Sequence, residues 1–247
     1  VVIFTDRCMD RWMDSKILNA NQAVATWHQR LQRCGFKFLV AQLLGGLTGG
    51  PQLYTGKPMD VSHKPLNISG AEWEEFMKLL DEVGCELGLD SQSIQDVNDI
   101  MASMRGDCVV EPGESVPANV VTKVSGTSLY AQVGGVYPIA LFADRLVDAL
   151  LLDDRCCIPI DGDKRNEATL KYFFTEVFCN CSGGNEQITC QEFDDTKLLV
   201  PKAAWGILKA TAEVAADHFP SRCLPDVLAT LEHAKHLMVD PSSPEPP

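Results

Sequence analysis

Among the residues of this 247-residue chain that could do chemistry, His63 has the most specific setting. It closes the run Gly49-Gly50-Pro51-Gln52-Leu53-Tyr54-Thr55-Gly56-Lys57-Pro58-Met59-Asp60-Val61-Ser62-His63. A neutral imidazole offers a ring-nitrogen lone pair to a metal. The paired glycines and Pro51 end a helix and give the following loop an unusual path. Taken alone, a single loop histidine is more often a surface or capping residue, so the case for a ligand rests on the run around it. The rival candidates are weaker. Cys179-x-Cys181 with Cys190 lacks paired Cys-x-x-Cys spacing and a nearby histidine, which favours buried thiols over zinc. Glu74-Glu75 and Asp194-Asp195 suit solvated faces better than acid/base dyads. Asn67-Ile68-Ser69 and Asn180-Cys181-Ser182 match a glycosylation triplet that is common by chance. No Ser/His/Asp order and no phosphate loop is present.

The elements that must position His63 read as helices. Apolar residues recur at helical spacing in Phe4–Leu18, in Trp73-Phe76-Leu79-Leu80-Val83, and in Ile94-Val97-Ile100-Met101-Met104. In the second half Ile139-Phe142-Leu146-Leu150 and Leu224-Val227-Leu228-Leu231 do the same. Strand-like alternation is scarce, so the class is all-α. Ser69, followed three residues later by Glu72, predicts a capping box at the start of one helix. Glu111–Ala118 reads EPGESVPA, a linker pattern, and Asp240–Pro247 reads DPSSPEPP, a pattern expected to be disordered. The expected organisation is a domain over residues 1–110, a linker over 111–123, a second domain over 124–239 and a tail over 240–247. An internal repeat supports two domains: Phe4-x-Asp6-Arg7-x-x-Asp10 matches Phe142-x-Asp144-Arg145-x-x-Asp148, 138 residues later. Asn67-Ile68-Ser69 pairs with Gly206-Ile207-Leu208, each expected to precede a helix.

Composition narrows the partners. Lys plus Arg number 21 against 34 Asp plus Glu, a formal net charge of −13. Such a surface repels phosphate backbones and gives no basic patch for anionic lipid, which argues against nucleic acid and membrane partners. No run of roughly twenty apolar residues is present to span a bilayer. The ten cysteines are irregularly spaced in a chain able to bury a core, so mostly reduced thiols are expected, in a soluble intracellular or organellar protein rather than a secreted one.

The run from Gly49 to His63 resembles the truncated hemoglobins, the short two-over-two helical globins. Their Gly-Gly-Pro, Tyr-Thr-Gly, Met and proximal histidine match Gly49-Gly50-Pro51, Tyr54-Thr55-Gly56, Met59 and His63. Ser128-Leu129-Tyr130-Ala131-Gln132-Val133-Gly134-Gly135 resembles the family's opening LY-x-x-x-GG, and Tyr172–Glu176 its distal helix. The likeness covers roughly residues 1–108 and 124–239, with the first domain's own opening helix expected upstream of Val1. It implies tandem truncated-globin-like domains and heme held by His63 in the first, with Tyr54 and Met59 beside it. Met9 falls at the tyrosine that holds bound oxygen, Asn21 or Gln22 at a phenylalanine that stacks on porphyrin, and Cys34 and Arg30 at distal-helix positions. Met9, His28 or Cys34 would be the distal neighbours.

The repeat separations place Pro201 or Lys202 opposite His63. Neither can ligate iron as His63 would, so the second domain is expected to be degenerate and heme-free, its space filled by Phe173, Phe174, Phe178 and Trp205. Two functions follow, neither enzymatic. In one, the first domain binds heme for a diatomic gas ligand or an electron. In the other, the chain is a heme-free structural subunit whose globin folds dock protein partners in a larger assembly.

Overall fold

The computed structural model describes residues 1–119, 124–156, 158, 167–190 and 199–243, apart from the Arg30 side chain. The linker expected at 111–123 is thus seen as far as 119, and the tail expected from 240 as far as 243. Asp194-Asp195 lies outside the described residues. The fold is all-α, and among the described residues the only β pairings are two isolated bridges. The chain divides into two compact units. One comprises Val1–Gly50 and Tyr54–Thr122, the other Lys123–Pro247 with Pro51–Leu53.

The first unit contains α1 (Val2–Asp14), α2 (Gln22–Trp27), α3 (Arg30–Leu47), α4 (Met59–His63), α5 (Gly70–Glu86), α6 (Ser91–Ser103) and α7 (Arg105–Cys108). Helix α1 packs against α3 and α5, and α4 against α7. The reason lies in the faces of α1. Phe4, Cys8 and Trp12, one turn apart, are buried together with Met9 and Met13 in a core shared with Leu44, Leu79, Leu80 and Val83. Trp12 stacks on Phe76 at 4.2 Å, and its Nε1–H donates to the Phe76 carbonyl at 3.0 Å. On another face Asp6 and Asp10 clamp the Lys37 ammonium of α3 at 2.8 and 2.9 Å. Helix α5 begins as its sequence predicts: the Ser69 hydroxyl accepts from the Glu72 N–H, and the Glu72 carboxylate accepts from the Ser69 N–H. Just before it, Ile68 pairs with Val109, and the Val110 N–H donates to the Ile68 carbonyl at 2.8 Å.

The second unit contains α8 (Leu129–Val133), α9 (Val136–Leu152), α10 (Glu167–Cys181), α11 (Lys202–Ala215) and α12 (Leu224–Met238). Helix α9 packs against α10 and α11, and α12 against α10 and α11. Phe142, Leu146 and Leu150 of α9 are enclosed, while Asp144 and Asp148 clamp the Lys171 ammonium of α10, each at 2.7 Å. Phe173, Phe174, Phe178 and Trp205 are all buried. Before α11, Val200 pairs with Val239. The Asp240 N–H donates to the Val200 carbonyl at 2.9 Å, and the Ser243 hydroxyl accepts the Lys202 N–H at 2.9 Å. The chain is therefore tied down past the point where the sequence suggests a loose tail.

Two sequence expectations change. Gly206-Ile207-Leu208 does not precede a helix but lies inside α11, with Leu208 fully buried. Pro201 is the N-cap of α11, the place Ser69 holds before α5, and Trp205 sits at the same helical position as Trp73. Pro201 and Lys202 are therefore not counterparts of His63. The error came from holding one separation constant, whereas the segments between helices differ in length.

Candidate functional site

The site is built from the end of α3. Gly49 has φ +87°, a conformation open to glycine at little cost. Its N–H donates to the Gly46 carbonyl and the Gly50 N–H to the Gly45 carbonyl at 2.8 Å, the paired bonds of a Schellman stop. The chain then turns back, and a side chain of α3 catches it. Buried Gln42 accepts at Oε1 both the Thr55 N–H, at 3.2 Å, and the Thr55 hydroxyl, at 3.0 Å.

Tyr54 and Gly56 explain each other. The Tyr54 hydroxyl donates to the Lys57 carbonyl at 2.8 Å, so its ring folds across residue 56, where a Cβ would run into the ring and hydroxyl. Burial, with the Cys108 thiol nearby, pushes the Tyr54 phenol up to about 12, keeping it a hydrogen-bond donor. Gly56→Ala should therefore cost about 1–3 kcal/mol through overpacking. The measurement is the urea midpoint of the first unit; a change below 0.5 kcal/mol, with ~0.5 taken as the usual surface-substitution range, would refute this reading of the turn.

The loop delivers the chain to α4, whose last residue is His63. The His63 Nδ1 lies 3.0 Å from the Met59 carbonyl, which can only accept, so Nδ1 carries the proton and donates. Ser62 Oγ stands 3.1 Å from the same nitrogen, while its hydroxyl has the Pro58 carbonyl at 2.8 Å as acceptor. The tautomer is thereby fixed, leaving the Nε2 lone pair for a ligand bond. Burial pushes the His63 pKa below the ordinary imidazole value, against the smaller opposing effect of the Met59 bond. A neutral imidazole with one nitrogen tied to a carbonyl is what a metal-ligating histidine requires. The next residue, Lys64, donates to the Val109 carbonyl at 2.7 Å and to Glu114 Oε1 at 2.6 Å.

The other residues singled out by sequence are distributed as follows. Met59 begins α4 and packs against the cluster of Trp73, Cys108 and Val109. Met9 is buried in the α1 core, and half-buried Cys34 is on α3, the helix packed against α1. Arg30 begins α3, but its side chain lies outside the described residues. His28 follows α2, its Nδ1 2.8 Å from Asn19 Oδ1. Sequence reasoning missed Gln42, Ser62 and Lys64. Only Gln42 left a readable trace: a Gln or Glu seven residues before Gly-Gly and thirteen before Thr occurs twice, as Gln42 and Glu176.

Among the described residues no group of three or more His, Cys, Asp and Glu is placed to hold a metal ion by itself, so the donor set suits a group that needs one protein ligand. No helix of the described residues is long and apolar enough to cross a membrane. No curated protein and no solved structure matches the chain. A family model does: the one described as bacterial-like globin matches residues 7–109, a stretch that contains α3, the Gly49–Gly56 loop and His63. Over residues 7–109 the chain belongs to the bacterial-like globin family.

Proposed function

We propose that the first unit binds heme through His63 and that the second is a heme-free copy of the same domain, retained as a docking scaffold for protein partners. The observation that carries the heme reading is the Nδ1–H bond to the Met59 carbonyl, which leaves Nε2 unprotonated. When bound, heme supplies an iron centre suited to a diatomic ligand or to one electron. The chain's own residues hold the imidazole neutral by burial, fix its tautomer, and anchor its loop through Gln42, Tyr54 and Lys64. The role is binding rather than catalysis.

The duplicate reading rests on matched contacts. Lys37, Gln42, Gly49 and Thr55 have counterparts 134 residues later in Lys171, Glu176, Gly183 and Thr189. Each makes the same interaction in its own unit. The ammoniums are each clamped by two aspartates, Gly183 has φ +88° beside +87° for Gly49, and Glu176 binds Thr189 as Gln42 binds Thr55. Further on, Ile68 and Trp73 correspond to Val200 and Trp205, 132 residues later. The counterpart of His63 then falls between 195 and 197, where the sequence reads Asp-Thr-Lys, and no imidazole is available. That segment lies outside the described residues.

The scaffold reading of the second unit is favoured by its aromatic interior. Phe142 meets Phe178 edge to face at 4.7 Å, and Phe173 meets Phe174 at 6.0 Å. Titrating the full chain with hemin, followed by the Soret band, tests the proposal. One equivalent is expected. Two would overturn the heme-free second unit, and none would leave the whole chain a scaffold.

A further inference from the structure

In the second unit the side chain that catches the loop is an acid, and it is entirely enclosed. Glu176 is 0% exposed. Its Oε2 accepts the N–H groups of Thr189 and Cys190 at 3.0 and 3.1 Å, and its Oε1 lies 2.5 Å from the Thr189 hydroxyl. A second acid is close by in the same loop: buried Glu186, whose Oε1 accepts the Tyr130 hydroxyl of α8 at 2.9 Å. The first unit holds amides at both places, Gln42 and Gln52. An amide cannot titrate, so the two units share a clasp but differ in what a proton can do to it.

We propose that the second unit's clasp is proton-controlled: the loop over Gly183–Cys190 is held to α10 by Glu176 in its un-ionised form, and loss of that proton releases it. In that form Oε1–H donates to the Thr189 hydroxyl oxygen while Oε2 accepts both N–H groups, so no polar atom of the carboxyl is left unsatisfied. Ionisation puts a negative charge into an enclosed site that already holds acids. The titratable groups that face Glu176 are Tyr172 and Cys179 on α10, Cys190 beside Thr189, and Glu186, which also acts on Cys179. On α9, Asp144 and Asp148 are engaged by Lys171, and Arg145 by Asp217. On α12, Asp226, Glu232, His233, Lys235 and His236 are all exposed.

Burial pushes the Glu176 carboxyl above its ordinary value of 4.5, more than its hydrogen bonds lower it. The closed loop therefore binds the proton more tightly than the open one. Its advantage is complete below the ordinary carboxylate value and is lost as pH rises through the raised one. One proton changes the opening equilibrium by up to about tenfold per pH unit across that window.

Amide hydrogen exchange of the full chain, measured from pH 5 to 9 and corrected for the intrinsic rate, tests this. The opening of residues 183–190 should grow more than about tenfold across the range, the effect of a single proton, while that of 49–56 stays constant. Glu176→Gln should flatten the dependence, and Gln42→Glu should transfer it to 49–56. A flat wild-type profile, or a dependence that survives Glu176→Gln, overturns the proposal. Should Glu176→Gln fail to fold, Gln42→Glu and the infrared carbonyl band of an un-ionised carboxyl at neutral pH decide. A flat 49–56 profile in that variant, or no such band, overturns it equally.

Discussion

Replacing His63 by alanine should weaken hemin binding by the full chain more than about 100-fold, beyond the roughly 10–100-fold expected when a metal site loses an outer-shell partner. Helical content should stay constant, because His63 is the last residue of a short helix and the neighbouring anchors, Tyr54 on Lys57 and Lys64 on Val109, are untouched. A Soret titration beside far-ultraviolet circular dichroism makes the comparison. Equal binding by both proteins would mean that another residue holds the iron. The pH dependence follows from the same bond. The His63 pKa lies below its ordinary value of 6.5 because burial disfavours the imidazolium. Hemin affinity should thus hold steady as pH falls to 6.5 and decline only below it, where a proton competes for Nε2. Without heme the sign is the same. The unfolded imidazole takes up its proton near 6.5 and the folded one only at lower pH, so His63 adds stability above 6.5 that is lost on acidification.

The largest structural effect is expected in the second unit. Phe142→Ala should cost about 3–5 kcal/mol, the range for removing an enclosed phenylalanine. Phe142 is 0% exposed and lies against both Phe178, at 4.7 Å, and Phe219, at 5.4 Å. Truncation would leave two aromatic rings facing a void. Its counterpart Phe4 is 7% exposed and near the chain's first residue, so Phe4→Ala should cost less. Urea unfolding, with exchange of the α9 and α10 amides as the readout, ranks the two. A cost below about 1 kcal/mol for Phe142→Ala would show that this core relaxes into the space.

The local features could be read from the sequence because each depends on neighbours a few residues apart. Ser69 and Glu72 make their capping box through one helical turn, and Gly49-Gly50 close α3 through bonds that span five residues. Phe4-x-Asp6-Arg7-x-x-Asp10 is legible for the same reason, its two aspartates lying on one face of α1. What they hold was not legible: Lys37 comes from another helix, and nothing in the spacing names it. The same limit hid Gln42, whose partner Thr55 is reached only after the chain turns back. The register of the second half slipped for a related cause. Periodicity locates helices but does not measure the segments between them, so Ile207 was matched to Ile68 although Val200 occupies that place. The tautomer of His63 depends on a backbone carbonyl, which no sequence motif displays.

Lys64 bears on how the first unit could be cut from the chain. The family match ends at Val109, whose carbonyl binds the Lys64 ammonium, but the carboxylate partner of that ammonium, Glu114, lies five residues further on. Glu114 also caps its own turn by accepting the Glu111 N–H, and Glu111 pairs with Arg105. A fragment trimmed at the family boundary would strip the counter-ion from the residue beside the proposed iron ligand. An expression boundary placed beyond Glu114 keeps that brace on the fragment that has to hold the heme.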